Sequence, residues 1–121
     1  MTVVPRLFLD ASVFIAAAGP HTGASALVLA LCRHGRARAV SSRLILREAE
    51  RNIQSKLGAN ALLRFYQEIA TLDLDLAAAL KGTVEVLLTL DRKHFLTARV
   101  LQAGLPFAIL TPGDFLRRLV S

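Results

Sequence analysis

The sequence predicts a three-layer α/β/α fold, in which helices cover both faces of a central, mainly parallel sheet of about four to five short strands. Two observations support this class. Short, continuously apolar segments of strand length alternate with longer segments whose apolar residues recur at helical spacing. The length of 121 residues and the hydrophobic content of 54% suit one buried core, so residues 1–121 are predicted to form a single domain.

The first half of the chain is predicted to contain a strand at 7–9, a helix at 24–34, a strand at 39–40 and a helix at 43–57. The first strand is apolar and ends at Asp10. Gly35 and Gly58 end the two helices, because glycine is favoured just after a helix C-terminus. Ser41 or Ser42 can cap the second helix. The apolar stripe of that helix consists of Leu46, Ala49, Ile53 and Leu57.

The second half is predicted to contain helices at 59–71 and 73–81, a strand at 84–90, a helix that ends at Gly104, a strand at 107–110 and a last helix from Pro112. The strand at 84–90 is nearly all apolar and lies between Gly82 and Asp91. The alanine-rich run before Gly82 favours a helix. The last helix has Thr111 as its cap and proline at its first position, where no N–H is needed.

The chain is strongly basic, which favours a polyanionic partner. Lysine and arginine number 15 against nine acidic residues, and most of the basic residues are arginine, which binds phosphate well. Nucleic acid is the obvious polyanion in a cytoplasm, and an arginine-rich surface without a partner is the alternative interpretation. Cys32 is the single cysteine, which excludes an intramolecular disulfide and indicates a reducing, cytoplasmic compartment. The apolar stretches are too short to span a membrane, so no membrane association is expected.

Two aspartates directly follow predicted strands. Asp10 follows the strand at 7–9, and Asp91 follows the strand at 84–90. Because the carboxyl ends of parallel strands lie at one edge of a sheet, where ligand sites form, both aspartates are expected to project from the same edge. A carboxylate that leaves a buried strand needs compensation by a cation or by a helix N-terminus. Metal binding and simple capping are therefore both open for each residue.

Two further acids lie on predicted helices. Glu48 stands beside the apolar stripe of the helix at 43–57, and pairing with Arg47 or Arg51 is a simpler interpretation than metal binding. Asp73 begins the predicted helix at 73–81, where an aspartate ordinarily acts as a cap. Taken singly, neither acid indicates a site.

In their order and spacing, these motifs resemble those of the PIN-domain nucleases, a family that includes the toxins of many bacterial and archaeal toxin–antitoxin pairs. The similar segments are Leu9-Asp10-Ala11-Ser12-Val13, residues 42–48, Leu88-Thr89-Leu90-Asp91 followed by Phe95, and residues 109–116. The last of them resembles the C-terminus of one PIN subgroup. The stretch between Gly58 and Asp73 looks shorter than in the longer members of the family.

The resemblance implies a ribonuclease that needs Mg²⁺ or Mn²⁺. The catalytic acids that it implies are Asp10, Glu48, Asp73 and Asp91. The metal ligands among them would be Asp10, Asp73 and Asp91. Ser12 and Thr89 would orient the carboxylates. Arg92 and Lys93, next to the last acid, would bind RNA phosphates, although a solvated turn explains them equally well.

The expected partners are RNA and a protein antitoxin, which the resemblance implies, and a second copy of the chain. A homodimer is expected because the helices at 43–57 and 59–71 carry more apolar surface than a small sheet covers. The third acid stays open between Asp73, Asp75 and no residue. In the last case the chain would be a degraded PIN domain that binds RNA or protein without cutting. A phosphatase on a related fold is a third alternative, but such enzymes commonly carry paired aspartates after the first strand.

Overall fold

The computed structural model describes residues 4–19, 23–76, 84–93, 104 and 107–120, in which strands and helices alternate. The strands are β1 Arg6–Leu9, β2 Arg38–Ser41, β3 Asp75–Leu76, β4 Val86–Leu88 and β5 Ala108–Leu110. The helices are α1 Ala11–Ala18, α2 Ala24–Arg33, α3 Arg43–Lys56, α4 Ala59–Thr71 and α5 Pro112–Val120. The strands are all parallel and lie in the order β3-β2-β1-β4-β5. The predicted α/β class is therefore confirmed.

Most of the described elements follow the predicted ones closely. Ser42 caps α3, because its Oγ accepts a hydrogen bond from the backbone N–H of Ile45 at 3.2 Å. Thr111 does the same for α5 by accepting from the N–H of Asp114 at 3.1 Å. The strand predicted at 84–90 is shorter in the structure, since β4 covers only its central part.

The predicted helix at 73–81 is wrong over the part that the structure describes. There the chain forms β3, which pairs in parallel with β2 at one end of the sheet. The extended form is favoured because the Asp75 carboxylate accepts hydrogen bonds from the guanidinium groups of Arg6 and Arg38. The rest of this predicted helix, and most of the helix predicted to end at Gly104, lie outside the described residues.

Apolar side chains are buried on both faces of the sheet, as a three-layer fold requires. Because side chains alternate along a strand, Leu7 and Leu9 of β1 face one side and Phe8 faces the other. The leucines join a core to which all five helices contribute, with Phe14 and Phe65 in edge-to-face contact at 6.0 Å between ring centroids. The opposite face carries a separate cluster of Phe8, Val40, Val84, Leu87 and Ile109.

The parallel arrangement gives the sheet two chemically distinct edges. We call the edge where β1 and β4 end the carboxyl edge, and the edge where β1 and β2 begin the amino edge. Leu9 is paired with Leu88, so the residues that follow β1 and β4 lie side by side at the carboxyl edge. The backbone N–H of Asp10 accordingly donates to the carbonyl of Leu88 at 3.1 Å. The fold therefore brings together two segments that are distant in sequence.

Several large apolar side chains remain on the outer surfaces of α3 and α4. Leu44, Leu63 and Tyr66 are 77%, 57% and 47% exposed. They agree with the surplus of apolar surface noted in the sequence, while the homodimer itself stays a prediction. Among the described residues, no helix combines the length and the hydropathy needed to cross a membrane.

Candidate active site at the carboxyl edge

Asp10 is held in place by two hydroxyl groups from different elements. Its Oδ2 accepts hydrogen bonds from Ser12 Oγ at 2.8 Å and from Thr89 Oγ1 at 2.9 Å. Asp10 is also the N-cap of α1, but the capping bond from the Ser12 N–H is longer, at 3.4 Å. The capping role anticipated from the sequence is thus present, and the stronger restraint comes from the hydroxyls.

The same two hydroxyls tie the segment after β4 to Asp10. Each hydroxyl has one proton, which it donates to Asp10, so its oxygen lone pairs are left to accept. Ser12 Oγ accepts from the N–H of Leu90 at 2.9 Å, and Thr89 Oγ1 accepts from the N–H of Asp91 at 3.0 Å. Thr89 is fully buried, which holds its hydroxyl in one place. The two residues therefore orient the carboxylate and fix the backbone that carries Asp91.

Asp10, Glu48 and Asp91 line one open pocket of about 510 Å³ at the carboxyl edge. Asp10 comes from the end of β1, Asp91 from the segment after β4, and Glu48 from α3. These are three of the four acids that the sequence predicts as catalytic. The predicted convergence of Asp10 and Asp91 at one edge is therefore what the structure shows.

Glu48 reaches the pocket from α3 together with Asn52, which the sequence analysis did not single out. Asn52 lies four residues after Glu48, one helical turn further along the same face. Its Nδ2 donates to the backbone carbonyl of Glu48 at 2.8 Å. The expected pairing of Glu48 with Arg47 or Arg51 does not occur among the described residues. The helical spacing could have revealed Asn52 as a neighbour of the site.

Asp73 does not line the pocket with the other acids. Its location therefore corrects the prediction that it is a catalytic acid and a metal ligand. It precedes β3 at the amino edge, where its 90% exposed side chain pairs with Arg38 at 2.6 Å. The length of a strand, roughly 10 Å, separates the two edges. The attraction of the Arg38 guanidinium, together with the extended β3, keeps Asp73 away from the pocket.

Asp75, the alternative third acid, is paired with Val40 within the sheet, and its carboxylate is bound by the two arginines that begin β1 and β2 at the amino edge. Its carboxylate accepts hydrogen bonds from Nε of Arg38 at 2.9 Å and from Nη1 of Arg6 at 3.0 Å. Hydrogen bonding to Arg38, with a smaller contribution from Arg6, lowers the pKa of Asp75 from the ordinary 3.8 to about 2. Its charge is neutralised locally, so Asp75 does not supply the missing ligand.

The pocket offers oxygen ligands of the kind that Mg²⁺ and Mn²⁺ bind. The second oxygen of Asp10, Oδ1, accepts no hydrogen bond from any described residue, so it is available to a cation. Among the described residues, no three His, Cys, Asp or Glu side chains are close enough to form a ready metal-binding group. Mg²⁺ commonly uses one or two carboxylates and keeps several waters, and Asp10 with Asp91 fits that requirement.

Arg92 and Lys93 lie in an exposed turn directly after Asp91. The pKa of Asp114 at the start of α5 is lowered mainly by hydrogen bonds with Arg117 and Thr111, and in small part by the charge of Arg92. The predicted contact of both cations with RNA stays a prediction.

Neither the scan against protein-family models nor the comparison with curated proteins finds a match to this chain. Folds of this class carry many unrelated activities, so the site and not the fold indicates the function. The decisive features are the three acids in one pocket and the two hydroxyls that orient Asp10.

Proposed function

We propose that this chain is a divalent-metal-dependent endoribonuclease of the PIN kind, and that it is the toxin of a toxin–antitoxin pair in the cytoplasm. The observation that carries the proposal is the pocket shared by Asp10, Glu48 and Asp91, in which Ser12 and Thr89 hold the Asp10 carboxylate. An oriented carboxylate with an oxygen left over suits metal binding better than it suits a purely structural role.

In this proposal each residue of the pocket has a defined task. Asp10 and Asp91 hold Mg²⁺ or Mn²⁺, and Glu48 orients a water molecule beside them. Ser12 and Thr89 keep the Asp10 carboxylate in one orientation. A bound divalent ion supplies the positive charge that stabilises the transition state of phosphodiester cleavage. The net charge of +6 attracts the RNA substrate over a longer range.

A second candidate function is RNA binding without cleavage by a degraded PIN domain. The observation in its favour is the location of Asp73 and Asp75, which are both neutralised by arginine at the amino edge. Without either of them, the described residues provide two aspartates and one glutamate at the pocket. RNA would still be attracted by the basic surface, but the transition state would be stabilised poorly.

Cleavage of labelled RNA by the purified chain tests the proposal, with Mn²⁺ or with a chelator. The informative variant is Asp10→Asn, and Asp73→Asn is the matched control because the same change falls on an acid at the other edge. We expect cleavage only with the metal, a loss of at least about 100-fold in Asp10→Asn, and an unchanged rate in Asp73→Asn. Circular dichroism melts confirm that the variants are folded.

Two other outcomes decide against the proposal. Equal cleavage by the wild type, by Asp10→Asn and in the presence of chelator indicates a contaminating nuclease. RNA binding by the wild type with no cleavage in Mn²⁺ supports the second candidate. A titration of Mn²⁺ followed by electron paramagnetic resonance reports on the metal site without relying on activity.

A further inference from the structure

Three arginines form a continuous ridge along α3. Arg43, Arg47 and Arg51 are spaced by four residues, so they lie one above the other on the same side of the helix. All three are exposed, and none forms an ion pair with a described residue. The ridge extends over about 12 Å, given the helical rise of 1.5 Å per residue.

The ridge is unfavourable for the isolated chain. Like charges four residues apart on a helix repel one another and destabilise it. Several arginines elsewhere pair with acids: Arg6 and Arg38 pair with Asp75, and Arg33 pairs with Glu68. A row of uncompensated guanidinium groups indicates that the charge is directed at an external anion.

One end of the ridge lies near the candidate active site. Glu48 and Asn52 lie on the pocket side of the same helix, together with Ile45. At 100° per residue, Arg51, Arg47 and Arg43 lie about 60°, 100° and 140° around the helix from Glu48, on the side away from the buried Ala49. An elongated anion that lies along the ridge therefore comes close to the mouth of the pocket at the Arg51 end.

We propose that Arg43, Arg47 and Arg51 form a track for the phosphate backbone of single-stranded RNA and lead the strand to the pocket. This inference rests on the proposed function for the direction of the strand, but not for the binding itself. Guanidinium groups bind phosphate oxygens in a bidentate manner, and a repeating row of them suits a polymer with a repeating charge. Leu44, 77% exposed beside the ridge, offers an apolar contact to a base or ribose.

Binding to a short fluorescent RNA, measured by anisotropy in the presence of a chelator, tests the track without cleavage. The variant Arg47→Gln/Arg51→Gln removes two charges from the ridge. The control Arg36→Gln/Lys56→Gln removes two exposed charges elsewhere, so both proteins have the same net charge. Each phosphate contact on a single strand contributes about 0.7 to the slope of log affinity against log salt.

We expect the ridge variant to bind RNA roughly tenfold more weakly at 0.15 M salt, and its salt slope to fall by about 1.4. The control is expected to change either quantity little. The ridge variant should melt no lower than the wild type, because like-charge repulsion is relieved. Equal losses in the two variants overturn the track, because they show that only net charge matters.

The same proteins separate this inference from the proposed function. A wild type that binds RNA through the ridge but cuts none in Mn²⁺ refutes the nuclease and leaves the track intact. Cleavage that is unaffected by the ridge variant at limiting RNA keeps the nuclease and refutes the track. An acidic peptide that displaces RNA and binds more tightly, with the same dependence on the ridge, shows that the track serves a protein partner and also overturns the inference.

Discussion

Aspartate side chains are hydrogen-bonded at both edges of this sheet, but the groups that bond to them differ in charge. At the amino edge, the guanidinium groups of Arg38 and Arg6 bond to Asp73 and Asp75. At the carboxyl edge, Asp10 is bonded by two neutral hydroxyls and by an N–H, and no described cation pairs with it. A guanidinium cancels the charge of a carboxylate, whereas a hydroxyl orients the carboxylate and leaves its charge.

This difference distinguishes a carboxylate that is neutralised within the fold from one that has an oxygen left to bind a ligand. Asp75 links β1, β2 and β3 through its bonds to Arg6 and Arg38, and these two guanidinium groups neutralise its charge. Asp10 is held by neutral hydroxyls instead, and its Oδ1 accepts no hydrogen bond from a described residue. The number of acids at an edge is therefore less informative than the charge of the groups that hold them.

Removing a hydroxyl at the carboxyl edge is expected to have the largest effect on this comparison. Thr89→Val keeps the shape of the buried side chain but deletes the donor to Asp10 and the acceptor of the Asp91 N–H. We expect Mn²⁺ affinity to fall about 10- to 100-fold, and the free energy of unfolding to fall by about 1–3 kcal/mol. Spectroscopic Mn²⁺ titration and urea unfolding measure the two quantities.

Thr71→Val is the matched control for this experiment. Thr71 is an exposed threonine at the end of α4 whose Oγ1 donates to the carbonyl of Glu68 at 3.0 Å. The control should bind Mn²⁺ like the wild type. If folded Thr89→Val binds Mn²⁺ with wild-type affinity, the hydroxyl does not position the carboxylate for a metal, and the contrast between the edges loses its functional meaning.

A smaller effect is expected on α3, where two glutamates differ only in their surroundings. Glu48 lines the pocket, whereas Glu50 accepts a hydrogen bond from the hydroxyl of Tyr66 at 2.8 Å, which raises the pKa of the tyrosine. Glu48→Gln should slow RNA cleavage roughly tenfold, because a neutral amide orients water less well. Glu50→Gln should leave the rate unchanged. Similar rates of RNA cleavage in the two variants would show that Glu48 does not contribute to the site.

The meeting of Asp10 and Asp91 at the carboxyl edge could be predicted from short sequence patterns. Asp10 and Asp91 each follow an apolar strand, and parallel strands end at one edge, so the convergence needed no further information. Ser12 and Thr89 lie within two residues of these acids, and their proposed orienting role depended on the family resemblance. Asn52 was missed although its distance of one helical turn from Glu48 was visible in the sequence.

The amino edge could not be predicted because it depends on pairings between distant residues. Arg6 and Arg38 are 69 and 37 residues away from Asp75, and no local pattern relates them. The short segment before the alanine-rich run suits a helix start and an edge strand equally well. That ambiguity placed Asp73 on a helix, and its role as a third acid depended on the family resemblance alone.

Acidification is expected to have the smallest effect, and to act at the amino edge. The pKa of Asp75 is about 2 in the folded chain against an ordinary 3.8, so between these values the folded state binds fewer protons than the unfolded state. Its stabilising contribution is therefore complete above about pH 4 and is lost as the pH falls towards about pH 2. Asp75→Asn should show a shallower decline in urea midpoint across this window.

Solvent screening keeps this effect modest, because about a third of each of the Asp75 and Arg38 side chains is exposed. Arg38→Gln should flatten the pH dependence in the same way, since it removes the main cause of the lowered pKa. If the urea midpoint of both variants declined with pH as steeply as that of the wild type, Asp75 would not be a neutralised structural acid. At neutral pH, Asp75→Asn should bind Mn²⁺ like the wild type, because the charge that it removes was never available at the carboxyl edge.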